Sequence, residues 1–168
     1  GERTTPPGRL FSFGAIADVQ YADQDDGWNF KKDHRRYYRG GLRQLRGAVD
    51  VWLKDETHRF VLQLGDVIDG SNKAHGKSET ALRSVKAEVD RLAASLPLGV
   101  LNSLGNHELY NFPKQRWARE PLILEASRGA GHEGRGEEEE CFYYSFSPVD
   151  SYRFIALDSY DVNAIREE

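Results

Sequence analysis

Methionine is absent from the 168 residues and cysteine occurs once, as Cys141. A lone cysteine cannot close a disulfide within the chain, which favours a reducing, cytoplasmic setting over a secretory one. Long apolar runs are also missing. A membrane span needs about 20 predominantly apolar residues, whereas Phe60-Val61-Leu62 and Phe154-Ile155-Ala156-Leu157 are typical of what is present. No membrane crossing is expected, and no stretch resembles a signal peptide. Nor is there an excess of basic charge: 23 Lys+Arg stand against 27 Asp+Glu, a formal charge of −4. Without a basic stripe, nonspecific binding to nucleic acid or to an anionic membrane is not expected. The missing first-position Met, and an end at Arg166-Glu167-Glu168 inside what reads as an unfinished segment, suggest that both ends are cut.

What is present is an ordinary globular composition, 39% hydrophobic and 30% charged, in one domain's length of chain. Residues 1–10, with Pro6-Pro7-Gly8, read as a disordered leader, and residues 11–168 as one domain. Phe11 to Ala17 is a short apolar run that reads as a buried strand. Tyr38, Leu42, Leu45, Val49 and Trp52 then recur at helical spacing within 34–54. Gly40-Gly41 interrupt this stripe at a cost of about 1 kcal/mol each relative to Ala. Phe60 to Leu64 reads as a second strand. A second helix, with Ser78 as a candidate cap, has the apolar face Leu82, Val85, Val89, Leu92 and Leu96, and Pro97 ends it. Leu98 to Leu104 reads as a third strand, and 113–127 as a helix. The Gly-rich, acidic stretch 128–140 reads as a solvated loop. Phe142 to Phe146 and Tyr152 to Leu157 read as an antiparallel pair joined by a turn at Ser147-Pro148-Val149-Asp150.

The order strand, helix, strand, helix, strand predicts an α/β fold with a parallel βαβαβ core. Ligand sites in such sheets gather beyond the carboxyl ends of the strands. Those places hold Asp18-Val19-Gln20, Gly65-Asp66-Val67-Ile68-Asp69 and Gly105-Asn106-His107-Glu108. The carboxylates of Asp18 and Asp66, the amide oxygens of Gln20 and Asn106 and the imidazole of His107 suit ions such as Mn²⁺ or Mg²⁺. Two ions bridged by one carboxylate would sit about 3.5–4 Å apart and could activate a water for in-line attack on a phosphoryl group. Singly, each group has a plainer use. An Asp after a strand commonly serves a turn or a cap, and Gly-Asp-x-x-Asp suits a tight turn. Three such groups, each after an apolar strand, argue together for a site.

The three groups resemble the signature of the calcineurin-like metallophosphoesterase superfamily. More narrowly, the stretch from Phe11 to Asp23, Arg35-Arg36-Tyr37-Tyr38-Arg39, the stretch from Leu62 to Gly70, the stretch from Gly105 to Phe112 and the block Leu157-Asp158-Ser159-Tyr160-Asp161 resemble the manganese-dependent ADP-ribose/CDP-alcohol diphosphatases. Gln20 stands where most of the superfamily has His, and an amide oxygen there favours Mn²⁺ over softer ions. The resemblance implies the N-terminal portion of a four-layer αββα sandwich with a mixed sheet, and two divalent ions, Mn²⁺ first, with Mg²⁺, Zn²⁺ or Fe as alternatives. It implies that Asp18 and Gln20 bind the first metal, Asp66 bridges both, and Asn106 binds the second. His107 would act at the phosphoryl group, with Asp69 holding its ring by a hydrogen bond, while Glu108 supports the ligands from behind.

The implied reaction is hydrolysis of a phosphoanhydride in a small nucleotide: ADP-ribose to AMP and ribose 5-phosphate, or CDP-choline to CMP and phosphocholine. Tyr21, Trp28 and Phe30 follow the first metal group, and an exposed ring there could stack on a base. The resemblance favours Phe30 as pocket lining, and the alternative is that these rings fold under the loop. His34, His58, His75 and His132 lack ligand spacing, Cys141 reads as a small apolar residue, and Arg35-Arg36 with Arg39 could meet phosphates but reads rather as decoration of a helix face. The superfamily's C-terminal histidine motifs are not in this sequence. The chain alone is therefore expected to be poorly metallated, weakly active and bare on one sheet face. Two alternatives stay open: another metallophosphoesterase activity, on cyclic nucleotides or phosphoproteins, and a catalytically dead half-site that binds a partner or nucleotide. No oligomeric state follows from the sequence.

Overall fold

A computed structural model describes residues 8–120 and 143–160. The expected acidic loop at 128–140, His132, Cys141, residues 121–127 of the third helix and most of the leader lie outside the described residues. The parallel core forms as expected. Strands β1 (Ser12–Ile16), β4 (His58–Gln63) and β5 (Val100–Asn102) make a three-stranded sheet in the order β1-β4-β5, every pairing parallel. Helix α1 (Tyr38–Trp52) connects β1 to β4, and α3 (Ser78–Ala93) connects β4 to β5.

Alternation along the central strand splits the core in two. Val61 turns to the helices, where Leu42, Leu45 and Val49 of α1 and Leu82, Val85, Val89 and Leu92 of α3 are buried against the sheet with Val100. Phe60 turns the other way and packs with Leu101, Tyr144 and Phe146. Its ring stacks on Phe13 at 4.9 Å and meets Phe146 edge-on at 5.0 Å. Tyr144 and Phe146 belong to an antiparallel hairpin, β6 (Tyr144–Val149) and β7 (Tyr152–Ala156).

The expectation of a bare sheet face is corrected by this hairpin, which buries Phe60 and Leu101 because its own aromatic residues alternate toward them. The exposure has moved outward, to Ile155 and Leu157. The turn is also shifted. Ser147, Pro148 and Val149 belong to β6, and the chain reverses at Asp150 and Ser151.

Three further details depart from the periodicity reading. Residues 34–36 do not join α1. Arg35–Arg36 form the short strand β3, paired antiparallel with β2 (Gly27–Trp28), because Asn29 takes the N–H groups of Asp33 and His34 on its side-chain oxygen and closes a tight loop. Ser78 is not a cap. It opens α3 after Lys77, and its hydroxyl donates to Asn111 Oδ1 at 2.6 Å instead. Two short helices, α2 (Ser71–Ala74) and α4 (Asn106–Asn111), follow the second and third site motifs, with α5 (Lys114–Ala118) after them.

Gly40 and Gly41 have different reasons to be in α1. A Cβ on Gly41 would overlap the carbonyl oxygen of Val19, so only glycine lets the helix lie against the loop that follows β1. Gly47, in the same helix, faces open space. Gly47→Ala should therefore stabilise the chain by about 0.5–1 kcal/mol, the ordinary helix preference. Gly41→Ala should destabilise it, since forcing a methyl against backbone costs about 1–3 kcal/mol and outweighs that gain. Thermal melts of the two variants check this, and equal stabilisation of both would be the contrary result.

Candidate metal and phosphate site

Pairing between β1 and β4 does not stop at the strand ends. Leu64 N–H donates to Ile16 O at 2.9 Å, Gln20 N–H to Asp66 O at 2.8 Å, and Asp69 N–H to Tyr21 O at 3.0 Å. The loops after β1 and β4 therefore run side by side. To do so they hold Asp18, Gln20 and Asp66 in the left-handed region, at φ 56°, 41° and 58°, beside Gly65 at 102°. Such backbone costs L-residues about 1–2 kcal/mol each and clusters at functional sites. These are three of the four residues expected as metal ligands.

Their side chains converge. Gln20 Nε2 lies 3.0 Å from Asp18 Oδ1 and 3.3 Å from Asp66 Oδ2. Because amide nitrogen and oxygen are assigned from surrounding partners, the same position lets the oxygen face a cation once one is bound. Asn106 opens α4 one residue after Gly105, whose missing Cβ is where Asp66 Oδ1 sits. The same carboxylate oxygen accepts the His107 N–H at 2.9 Å. Among the described residues no group of three or more His, Cys, Asp or Glu could hold a metal ion. The donor set expected from the sequence is instead two carboxylates with two amides, of which Asp18, Gln20 and Asp66 come together. That all-oxygen set, carrying two negative charges, fits a hard divalent ion better than a thiophilic one.

Behind this layer lies Glu108, 1% exposed. Its carboxylate accepts three backbone N–H groups, from Asp66, Val67 and Gly105, each at 2.7 Å. Burial pushes this carboxyl up to about 7; the three N–H groups pull the other way, and the nearby charge of Asp66 adds to the rise.

His107 departs from its expected contact. Its Nδ1 accepts the Gly70 N–H at 2.8 Å, and Asp69 Oδ2 stands 3.5 Å away. Asp69 gives its closer contact to Arg36, whose Nη1 donates to Oδ2 at 2.8 Å, while Oδ1 accepts Ser71 N–H. A neutral His107 therefore carries its proton on Nε2, and the backbone of Gly70 selects that tautomer.

A cleft of about 180 Å³ opens beside these groups, lined by Asp18, Gln20, Asp69, Arg36, Tyr37 and Gln44 among others. Arg36 is thus not helix decoration; β3 delivers it to the site. From the sequence, a phosphate contact is only the second choice for it, although Asn29 to Asp33 between two short extended pieces is a hairpin signal. Tyr160, part of a block singled out in the sequence without a role, also lies near the site. Its backbone oxygen accepts Lys114 Nζ at 2.9 Å, and its phenol is pushed up first by burial and then by the charges of Asp66 and Glu108. Asp158 holds it there, paired with Lys114 at 2.8 Å and accepting the Tyr160 N–H.

The aromatics divide. Tyr21 packs partly buried against the main core and does not line the cleft. Trp28 is 57% exposed and Phe30 101% exposed, so neither ring folds under its loop, and neither lines the cleft. Arg39 braces that loop through Asp23 and Asp25 at 2.7 and 2.9 Å.

The Asp69 side chain is almost wholly buried, while Arg36 keeps about a third of its own exposure. Arg36→Met leaves that carboxylate without its cation. The loss should be about 1–3 kcal/mol, below the 3–5 of a fully buried pair, and urea unfolding should register it. Unchanged stability would show that the pair contributes nothing.

No family model matches the chain. Curated proteins do. The chain is 42% identical to the manganese-dependent ADP-ribose/CDP-alcohol diphosphatase of Xenopus tropicalis, over 94% of this chain and 47% of that protein. It is 40% identical to the human protein of the same name, over 94% and 46%, and 36% identical to that of Arabidopsis thaliana, over 93% and 44%. Among solved structures it is similar to a dimetal phosphatase from Danio rerio, with a TM-score of 0.81 and 41% identity over 95% of this chain and 47% of that one. The chain spans about half the length of the relatives it matches.

Proposed function

We propose that this chain, a homologue of the manganese-dependent ADP-ribose/CDP-alcohol diphosphatases over the part it spans, carries one half of a phosphoanhydride hydrolase centre. The observation that carries the reading is the cluster of Asp18, Gln20 and Asp66, held in left-handed backbone and aimed at one another. In this reading Asp18 and Gln20 hold a first divalent ion, Asp66 reaches both ions, and Asn106 holds the second, with Mn²⁺ preferred. When bound, the ions supply Lewis acidity and an activated water. These side chains offer four oxygen donors, and the remaining positions on two ions would be taken by water, by phosphoryl oxygens or by donors beyond the described residues.

The chain's own groups do the rest. His107 offers Nε2–H toward the bridging oxygen or the phosphoryl oxygens, where it stabilises charge and protonates the leaving phosphate. Asp69, within 3.5 Å, stabilises the ring when it is positive, and Gly70 N–H keeps it oriented. Water adds across the P–O–P link, giving a nucleoside monophosphate and a phosphorylated sugar or alcohol. Substrates are nucleoside diphosphates joined to a sugar or alcohol, ADP-ribose or CDP-choline, with Phe30 stacking on the base. A cytoplasmic location and a small-molecule substrate rather than nucleic acid accord with the lone cysteine and the acidic net charge. Among the described residues no helix is long and apolar enough to cross a membrane.

In the full-length protein, Asp66→Ala and Asn106→Ala should each lower Mn²⁺-dependent hydrolysis of ADP-ribose by at least about a thousandfold with the fold retained by circular dichroism. Near-normal rates would defeat the metal assignment. Phe30→Ala should cost more on ADP-ribose than on a phosphodiester without a base, by roughly 1–3 kcal/mol in kcat/KM; equal losses on both substrates would remove the stacking role.

A further inference from the structure

Glu108 is buried and does not line the cleft, yet it is the most heavily hydrogen-bonded carboxylate beside the site. Both of its oxygens reach the loop after β4, and one of them is shared with the loop after β5. Oε2 takes the N–H groups of Asp66 and Gly105, and Oε1 takes that of Val67. One side chain thereby joins the segment after β4 to the segment after β5, and those segments carry Asp66 and Asn106. The residue is itself held from behind: its carbonyl oxygen accepts the indole N–H of Trp117 at 2.9 Å, and Trp117 is fully buried. A return bond runs from His107 N–H to Asp66 Oδ1 at 2.9 Å. The spacing of the backbone that carries Asp66 and Asn106 is thus set by a closed ring of bonds through Glu108.

We propose that Glu108 is a positioning residue whose carboxylate sets the affinity of the Asp66/Asn106 ion by clasping the two loops that present these ligands. The proposal rests on the metal assignment above. It makes a specific demand on chemistry, because a carboxylate has acceptors at both ends and an amide at only one. In Glu108→Gln the NH₂ must face a backbone N–H. If it replaces Oε1, the Val67 bond is lost; if it replaces Oε2, both Asp66 and Gly105 lose theirs. Glu108→Asp keeps two acceptors on a shorter reach and should recover part of the clasp.

The test is Mn²⁺ titration of the full-length protein, followed by the electron paramagnetic resonance signal of free Mn²⁺, with thermal melts alongside. Glu108→Gln should weaken Mn²⁺ binding about 10- to 100-fold, and Glu108→Asp should fall between it and the unchanged protein. Val89→Ala, a core truncation on α3 that lowers the melting temperature, should leave the affinity within about twofold, because supporting partners of ligands, not general stability, govern it. Wild-type affinity in Glu108→Gln, or an equal loss in Val89→Ala, overturns the clasp. Should Glu108→Gln fail to fold, Glu108→Asp carries the same comparison. Asp66→Ala separates the two levels: its loss of binding beside an unaffected Glu108→Gln defeats only the clasp, whereas unchanged binding in Asp66→Ala defeats the metal assignment and the clasp with it.

Discussion

Parallel pairing that continues past the ends of β1 and β4 is the constraint on which the site depends. Two strands that end together normally release their chains to turn in different directions. Here Gln20 N–H still reaches Asp66 O, and Tyr21 N–H reaches Val67 O, after both strands have ended. The loops can keep this register only if some residues take left-handed backbone, which the chain assigns to Asp18, Gln20, Gly65 and Asp66. Glycine does this without penalty, and Asp tolerates it better than most residues. Gln has no such tolerance, and strain of this kind in a non-glycine residue clusters at functional sites. Strain at that position is an independent physical pointer to ligand binding, free of any likeness to other proteins.

Much of the frame was legible in the residues. Apolar steps of three and four along α1 and α3 named the buried faces, because helices on one side of a parallel sheet have a single stripe to bury. The motifs after the three strands were legible for a related reason: parallel strands place their carboxyl ends along one edge. What periodicity could not show was anything set by a single side chain reaching across the chain. Asn29 closing the β2-β3 loop, Ser78 reaching Asn111 instead of capping α3, and Gly70 N–H occupying His107 Nδ1 are contacts between residues up to 37 positions apart. The covering of Phe60 by the β6-β7 hairpin is of the same kind, since alternation names an apolar side but not its partner.

The double glycine in α1 shows how a local cost can be misread. By helix preference alone Gly40-Gly41 is a flaw in an otherwise regular stripe. In the fold, Gly41 is where α1 presses on Val19, midway between Asp18 and Gln20. A larger residue would push the helix off that loop or the loop off its pairing with Asp66. Core and site thus share a wall, in which the helix that buries Leu42, Leu45 and Val49 also backs the strained ligand loop.

That shared wall also bears on the strained backbone after β1 and β4. The left-handed backbone at Asp18, Gln20 and Asp66 costs on the order of 1–2 kcal/mol per residue, a large fraction of what a domain of this size has in hand. The cost is met from three sides: helix α1 at Gly41, the continued ladder between the loops, and the buried Glu108 carboxylate with its three N–H donors. Each of these supports acts on backbone rather than on ligand side chains. The carboxylates of Asp18 and Asp66 are therefore left with their oxygens turned to a common space while their main chain is immobilised. Backbone fixed in this way has little conformational entropy left to lose when those side chains engage a ligand, whatever its chemistry.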